Sequence, residues 1–263
     1  MSRFMITLRE SLEVFSENPK LILPKLLVSF LYSIVFVLVA GLIVNLFKDP
    51  ESASLVGTIA LFALEVVFVL VDIFVNLMFP HMVKQHRDKK KVSLRKSFRY
   101  VLSNLSAALP VLLIYLALIV LSLIWMGLFL ILFYNGKPLE ETLLSFAAPI
   151  IALAAFIAFF FYLIFPIATL EKPRLLDSLK RSARLSISNW HDVAKALILS
   201  TVLSLASLAL AFAVNIVPPE SSAVFWAVFV VVRFLTAYIN TYLYVLSPVF
   251  YFNYAKASPP KGK

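Results

Sequence analysis

Hydrophobic and polar positions in this chain fall in long blocks. Six apolar runs, Leu21–Phe47, Leu55–Met82, Leu105–Tyr134, Thr142–Leu170, Val193–Val217 and Ala223–Phe252, are each long enough to cross a ~30 Å hydrocarbon core as a helix. The third, about 30 residues, has to tilt or protrude. Two kinds of polar segment separate them. KDPESAS (48–54), NGKPLEE (135–141) and PPESS (218–222) are short turns. The others are longer, charged and half apolar. In Arg3–Asn18 the residues Phe4, Leu8, Leu12 and Phe15 recur at helical spacing among Arg9, Glu10, Glu13 and Glu17. That division predicts a helix lying at the membrane surface. Asn18-Pro19 predicts its end, because Asn tolerates a left-handed C-cap and the residue before proline avoids the helical region.

The longer segments repeat. Leu, then Ser three residues on and Asn seven beyond that, occurs at Leu8/Ser11/Asn18, Leu94/Ser97/Asn104 and Leu179/Ser182/Asn189. Six residues past the Asn stand Pro24, Pro110 and, in the third copy, Lys195. Each unit ends in a further proline, Pro80, Pro166 and Pro248, which follow the repeat Ser by 69, 69 and 66 residues. The expected fold is all-α: a polytopic membrane protein of six transmembrane helices, built as three parallel repeats of a surface helix plus a helical hairpin. The repeats cover about 3–83, 92–169 and 177–252 of a single integral membrane domain (1–263), with 253–263 as a polar tail. Units inserted the same way round are related by an axis along the membrane normal. The Ser allows close helix packing, the Asn ends the surface helix, and the terminal prolines mark where the even helices kink or leave the bilayer.

Composition narrows the class further. A hydrophobic content of 62% and a mean hydropathy of +0.94 exclude a soluble globular chain and leave no room for a separate soluble domain. The absence of cysteine excludes disulfides, Cys-ligated zinc, iron–sulfur clusters and thiol chemistry. The charged, amphipathic N-terminus lacks a short apolar core with a cleavage site, so no removable signal peptide is expected. A net charge of +10 would suggest nucleic acid in a soluble protein, but here the bases cluster between apolar helices. The hairpin turns hold Lys48 and Lys137 against Asp49, Glu51, Glu140, Glu141 and Glu220, while nearly all other bases lie on the opposite side. The positive-inside rule then places both termini and the three surface segments in the cytoplasm of a cell-membrane protein. Anionic headgroups are the expected partners, with a membrane protein as a further candidate and no nucleic acid. Lys89, Lys90, Lys91, Arg95, Lys96, Arg99, Lys180, Arg181 and Arg184 are the expected headgroup contacts. Lys25, near the cytoplasmic end of the first span, is expected to snorkel to the headgroups.

Glu65, Asp72 and Arg233 are the ionisable residues well inside apolar runs. Glu65, Asp72 and Asn76 share one helical stripe, as do Arg233, Asn240 and Tyr244. Both triplets lie 15, 8 and 4 residues before their terminal proline, whereas the fourth helix has Ile151, Ala158 and Tyr162 at those places. Repeat symmetry thus predicts a Glu65–Arg233 ion pair, with an Asp72–Asn240 hydrogen bond below it. An unpaired Arg in the membrane centre costs at least about 2.5–3.5 kcal/mol. The stripe reads either as an interhelical clamp or as the wall of a polar pathway, with Asp72 the charge left over.

Catalytic signatures do not occur. His81, His86 and His191 lie in or beside cytoplasmic loops, without the spacing of a metalloprotease or a paired metal site, and there is no serine elbow or glycine-rich phosphate loop. No cofactor, metal or enzymatic activity is expected. The arrangement of Ser11/Asn18/Pro19/Pro24, Ser97/Asn104/Pro110, Ser182/Asn189 and the terminal prolines resembles poorly characterised prokaryotic six-helix membrane domains, including those fused ahead of glycerophosphodiester phosphodiesterase barrels. The resemblance implies a membrane module; the catalytic barrel of such fusions is absent, so their diesterase activity is not implied. The expected function is a non-enzymatic module that organises lipid or a partner protein. The alternative is a transporter, channel or lipid scramblase using the stripe around Asp72.

Overall fold

The computed structural model describes residues 2–46, 50–134, 152–171, 174–213 and 222–255. Among them there is no β-strand. In chain order the helices are α1 (Arg3–Glu17), α2 (Ile22–Leu46), α3 (Pro50–Arg87), α4 (Leu94–Leu102), α5 (Leu109–Tyr134), α6 (152–161), α7 (Ile164–Leu170), α8 (Leu175–Ser188), α9 (Trp190–Ala213) and α10 (Ser222–Ala255), with 3₁₀ turns at Pro19–Leu21 and Leu105–Ala108. Five stretches, Pro19–Ile43, Ile59–Arg87, Ala152–Leu170, Trp190–Phe212 and Val224–Ala255, are long and apolar enough to cross a membrane, as befits a multi-pass membrane protein. Their outward faces expose Leu27, Val37, Ile198, Val202 and Val231, a surface suited to lipid rather than water.

The ends of the elements refine the expected boundaries. Proline is favoured in the first helical turn, and α3 accordingly begins at Pro50, inside the segment expected as a turn over 48–54. The expected turn at 135–141 lies outside the described residues, as does 218–221. At the C-terminal end, α10 runs on through Ala255, so Asn253 and Tyr254 belong to a packed helix and not to a polar tail. The Asn caps also differ from expectation. Asn18, Asn104 and Asn189 have φ of −128°, −133° and −125°, outside the left-handed region. Each uses its side-chain amide instead, donating to the carbonyl four residues back: Val14 at 2.9 Å, Tyr100 at 2.7 Å and Leu185 at 2.9 Å. At Val14 and Tyr100 that occupies a carbonyl to which the backbone N–H four residues on does not bond; Leu185 O also accepts the Asn189 N–H. The left-handed residue is Lys89 (φ 55°), where the Lys90 N–H reaches back to Gln85 O and closes α3 before the chain reverses.

That reversal sends α4 back along α3. Gln85 accepts from the Ser93 N–H (2.8 Å) and donates to Ser97 Oγ (3.1 Å). One turn earlier in α3, the His81 ring stacks on Tyr100 at 4.2 Å. Helix α1 likewise runs antiparallel along α10: Thr7 and Glu10 meet Asn253, while Phe15 packs edge-on against Tyr242 and Tyr238. The segments expected to lie flat on the membrane pack lengthwise on the ends of the longer helices, α1 on α10 and α4 on α3. Small hydroxyl residues make this close approach possible, and Ser11, Ser97 and Ser182 are all fully buried.

Helices α3, α7 and α10 pack on one another at the centre, with α2, α5 and α9 outside them. Ile73, Leu77, Phe79, Ile164, Val245 and Val249 fill one continuous core where the inner helices meet. The chain breaks between α6 and α7 just before Pro166, which lacks the N–H that Tyr162 O would accept. Ser247 Oγ donates to Tyr162 O (2.9 Å) and Ser182 Oγ to Phe160 O (3.0 Å), so neighbouring elements occupy the carbonyls at the break. Pro80 and Pro248 lie inside continuous helices.

Candidate functional site

The polar residues of the membrane region form a ladder with two rungs between α2 and α3. These helices are antiparallel, so residues seven apart on one face each other's heptad partners: Lys25 meets Asp72, and Tyr32 meets Glu65. On the lower rung, Lys25 Nζ donates to Asp72 Oδ1 at 2.6 Å, and Asn76 Nδ2 donates to Asp72 Oδ2 at 2.9 Å. Lys25 is only 6% exposed. Its ammonium also lies 3.9 Å from the centre of the Tyr244 ring of α10, a cation–π contact in a desolvated setting. The Tyr244 hydroxyl lies among Asn76 and Tyr115, and its ring packs against Phe79 and Phe165. Asn76 Oδ1 is buried without a hydrogen-bond partner. On the upper rung, the Tyr32 hydroxyl donates to Glu65 Oε2 at 2.8 Å, and Arg233 lies over the Phe229 ring at 5.2 Å.

Two expected contacts are absent here. Among the described residues, Glu65 and Arg233 form no ion pair, because α2 packs against both α3 and α10 and brings Tyr32 to Glu65. Asp72 bonds Lys25 and Asn76, not Asn240. Asn240 instead lines a cavity between α5, α6, α9 and α10, together with Tyr115, Tyr162 and Tyr244. The structure thus joins Asp72, Asn76 and Tyr244, leaves Glu65 and Arg233 without a direct bond, and sets Asn240 apart. Sequence reasoning missed Lys25, Tyr32 and Tyr115. The seven-residue spacing of Lys25 and Tyr32, mirroring that of Glu65 and Asp72, was the signal that could have found the first two.

A second polar layer lies at the C-terminal ends of α3, α7 and α10. Gln85, Glu171 and Asn253 each stand five residues after a terminal proline. Gln85 holds Ser93 and Ser97 of α4; Glu171 holds Arg181 Nε of α8 at 2.8 Å; Asn253 donates to Thr7 Oγ1 (3.0 Å) and Glu10 Oε2 (2.9 Å) of α1. Arg87 reinforces the last joint, 2.6 Å from Glu10 and bonded to Asn253. Tyr100 adds a donor bond to Thr169 O (2.8 Å), and burial pushes its phenol above the ordinary value. Of the expected headgroup contacts, Lys89, Lys90, Lys91, Arg95, Lys96, Arg99, Lys180 and Arg184 are exposed. Arg181 pairs with Glu171 and keeps its side chain 42% exposed. Among the described residues no cluster of three His, Asp or Glu could hold a metal ion.

No family model, curated protein or solved structure matches this chain.

Proposed function

We propose that this chain is a non-catalytic membrane module of three like-oriented repeats that organises lipid, or seats a membrane partner, at the cytoplasmic face. The observation that carries the reading is the cyclic set of joints at Gln85, Glu171 and Asn253. Each ties the end of one inner helix to the cytoplasmic helix of the next unit, and the last closes back on α1. Helix α5, 26 residues without a charge, counts as the sixth span, and both termini lie in the cytoplasm with the basic segments. On the outward faces Arg9, Arg95 and Lys180, each two residues before a repeat Ser, are exposed, and Leu12, Phe98 and Ile187 are exposed nearby. Bases beside apolar side chains suit anionic headgroups, each base near such a surface contributing about 1 kcal/mol. Thermal unfolding in lipid nanodiscs tests this. Wild type should unfold higher in phosphatidylglycerol than in phosphatidylcholine, and Arg95→Gln/Lys96→Gln/Arg99→Gln should lose most of that difference. An equal shift in both proteins would sink the headgroup role.

A transport reading draws on Asp72, whose side chain is 34% exposed, and on the unpartnered Asn76 Oδ1 beside it. Lipid-scrambling and ion-flux assays of wild type against Asp72→Asn decide between the two readings. No flux in either protein leaves the module.

A further inference from the structure

The joint between α3 and α4 turns on one amide whose orientation is set. Gln85 Oε1 accepts the Ser93 N–H at 2.8 Å, so Nε2 is the end that faces His81 Nδ1 at 2.9 Å and Ser97 Oγ at 3.1 Å. An amide nitrogen only donates, so His81 Nδ1 has to accept, and the ring is the neutral tautomer with its proton on Nε2. Ser97 Oγ lies 3.0 Å from the same Nδ1 and closes a triangle of three side chains. Gln85 and Ser97 are buried, whereas His81 is half-buried and open to proton exchange.

A proton on Nδ1 turns the ring from acceptor to donor. Ser93 N–H and His81 Nδ1–H then compete for one Gln85 carbonyl, and the bond from the cation is the stronger because it is charge-assisted. Swinging that carbonyl to His81 turns the amide nitrogen toward the Ser93 N–H, donor against donor, and the N-cap of α4 loses its hold on α3. The stack of the ring on Tyr100, centroids 4.2 Å apart, tolerates a cation and keeps the ring in place through the change. Lys84, one turn along α3, lies near enough to repel a positive ring. Other charges stand apart. Asp88, two turns on, is 3.6 Å from Lys90, and Lys96 and Arg99 of α4 are exposed. Leu105–Ala108 and α7 carry no titratable residue, while α1 and α10 meet other faces of α3, at His86, Arg87 and Phe79. The closed joint excludes the proton and the open joint takes it, so opening is favoured as pH falls through the imidazole range, below about 6.5.

We propose that His81, Gln85 and Ser93 form a proton-operated latch on α4, closed while His81 is neutral and released at the Ser93 end when His81 is protonated. The released turn carries Lys89, Lys90 and Lys91 and leads into Arg95 and Lys96, so the latch regulates the segment that the headgroup reading assigns to anionic lipid. Its use rests on that reading; its opening does not. Hydrogen exchange over residues 88–97 in phosphatidylcholine nanodiscs, corrected for the intrinsic pH dependence of exchange, reads the latch without anionic lipid. Between about pH 7.5 and about pH 5.5, either side of the imidazole range, wild type should lose roughly fivefold protection there, the size of one hydrogen bond. His81→Phe keeps a ring on Tyr100 but cannot titrate, so its corrected protection should not change with pH. Gln85→Glu offers two acceptor oxygens, one for each donor, so its segment should stay as protected in acid as at neutral pH. An acid loss as large in His81→Phe or in Gln85→Glu as in wild type, or full protection of wild type in acid, would overturn the latch. Phosphatidylglycerol nanodiscs separate it from the headgroup role: a latch that opens in a protein with no anionic-lipid preference at either pH stands, and the headgroup role alone fails.

Discussion

Lys25 is held on three sides, by the Asp72 carboxylate, by the face of Tyr244 and by the walls of α2, α3 and α10. Removing one member of a buried pair strands the other charge at a cost of about 3–5 kcal/mol, and the partial exposure of Asp72 places this pair near 3. Lys25→Met and Asp72→Leu should each lose about that much stability. The double variant should lose clearly less than the sum, because no charge is left behind. Unfolding in denaturing detergent measures all three, and strictly additive losses would reduce the pair to two unrelated packing residues. The polar stripe itself was legible in the spacing of Glu65, Asp72 and Asn76. Its partners were not, because register symmetry pairs the even helices with one another, whereas tertiary packing wedges α2 between α3 and α10. A lysine at the start of an apolar run also reads as a snorkelling residue until the chain opposite it is known.

At the scale of elements, the break before Pro166 shows how one proline can divide a span while two others do not. Its cost falls on Tyr162 O, which Ser247 Oγ reaches. Ser247→Ala should therefore destabilise by about 1–2 kcal/mol, the penalty of a buried acceptor left open. Pro166→Ala restores an N–H that can bond Tyr162 O along the helix, so Ser247→Ala should cost distinctly less in that background. Thermal midpoints of the two singles and the double measure the coupling, and an unchanged effect of Ser247→Ala would exclude it. Long apolar spans were readable from length and hydropathy, and five of membrane length stand in the structure, although α3 begins at Pro50 and α10 runs on to Ala255, beyond the expected limits. The inclination of the charged helices α1, α4 and α8 was not. Phe4, Leu8, Leu12 and Phe15 share a stripe that suits either a membrane surface or another helix, and the choice depends on Asn253, Tyr242 and Tyr238, more than two hundred residues away.

For the whole molecule, the ring of joints makes the position of the termini nearly arbitrary. Helix α1 is held on α10 by Asn253 as α4 is held on α3 by Gln85, but only the second joint has a covalent connection, the short turn after Arg87. The chain ends are close where they are described, with the Arg3 guanidinium 5.9 Å from the Tyr254 ring. A circular permutant that begins at Val92, ends at Lys91 and joins Lys263 to Met1 through a short flexible linker keeps every described helix, every joint and the distribution of basic residues. Exposed turns between packed elements are the sites where permutation succeeds. The permutant should insert in the membrane with the same orientation and unfold within a few degrees of wild type. Hydrogen exchange should show α1 as protected as before, since the linker replaces nothing that holds it. Cutting instead between Tyr162 and Leu163, inside the packed break, should prevent folding, because the hydroxyls of Ser182 and Ser247 would no longer meet carbonyls held in place by a continuous chain. If both permutants fail alike, chain order matters beyond the contacts and the ring is not a closed cycle of equivalent joints. If only the second fails, α1 belongs to the ring as fully as α4 and α8, and its lengthwise packing on α10 is the step that completes the module.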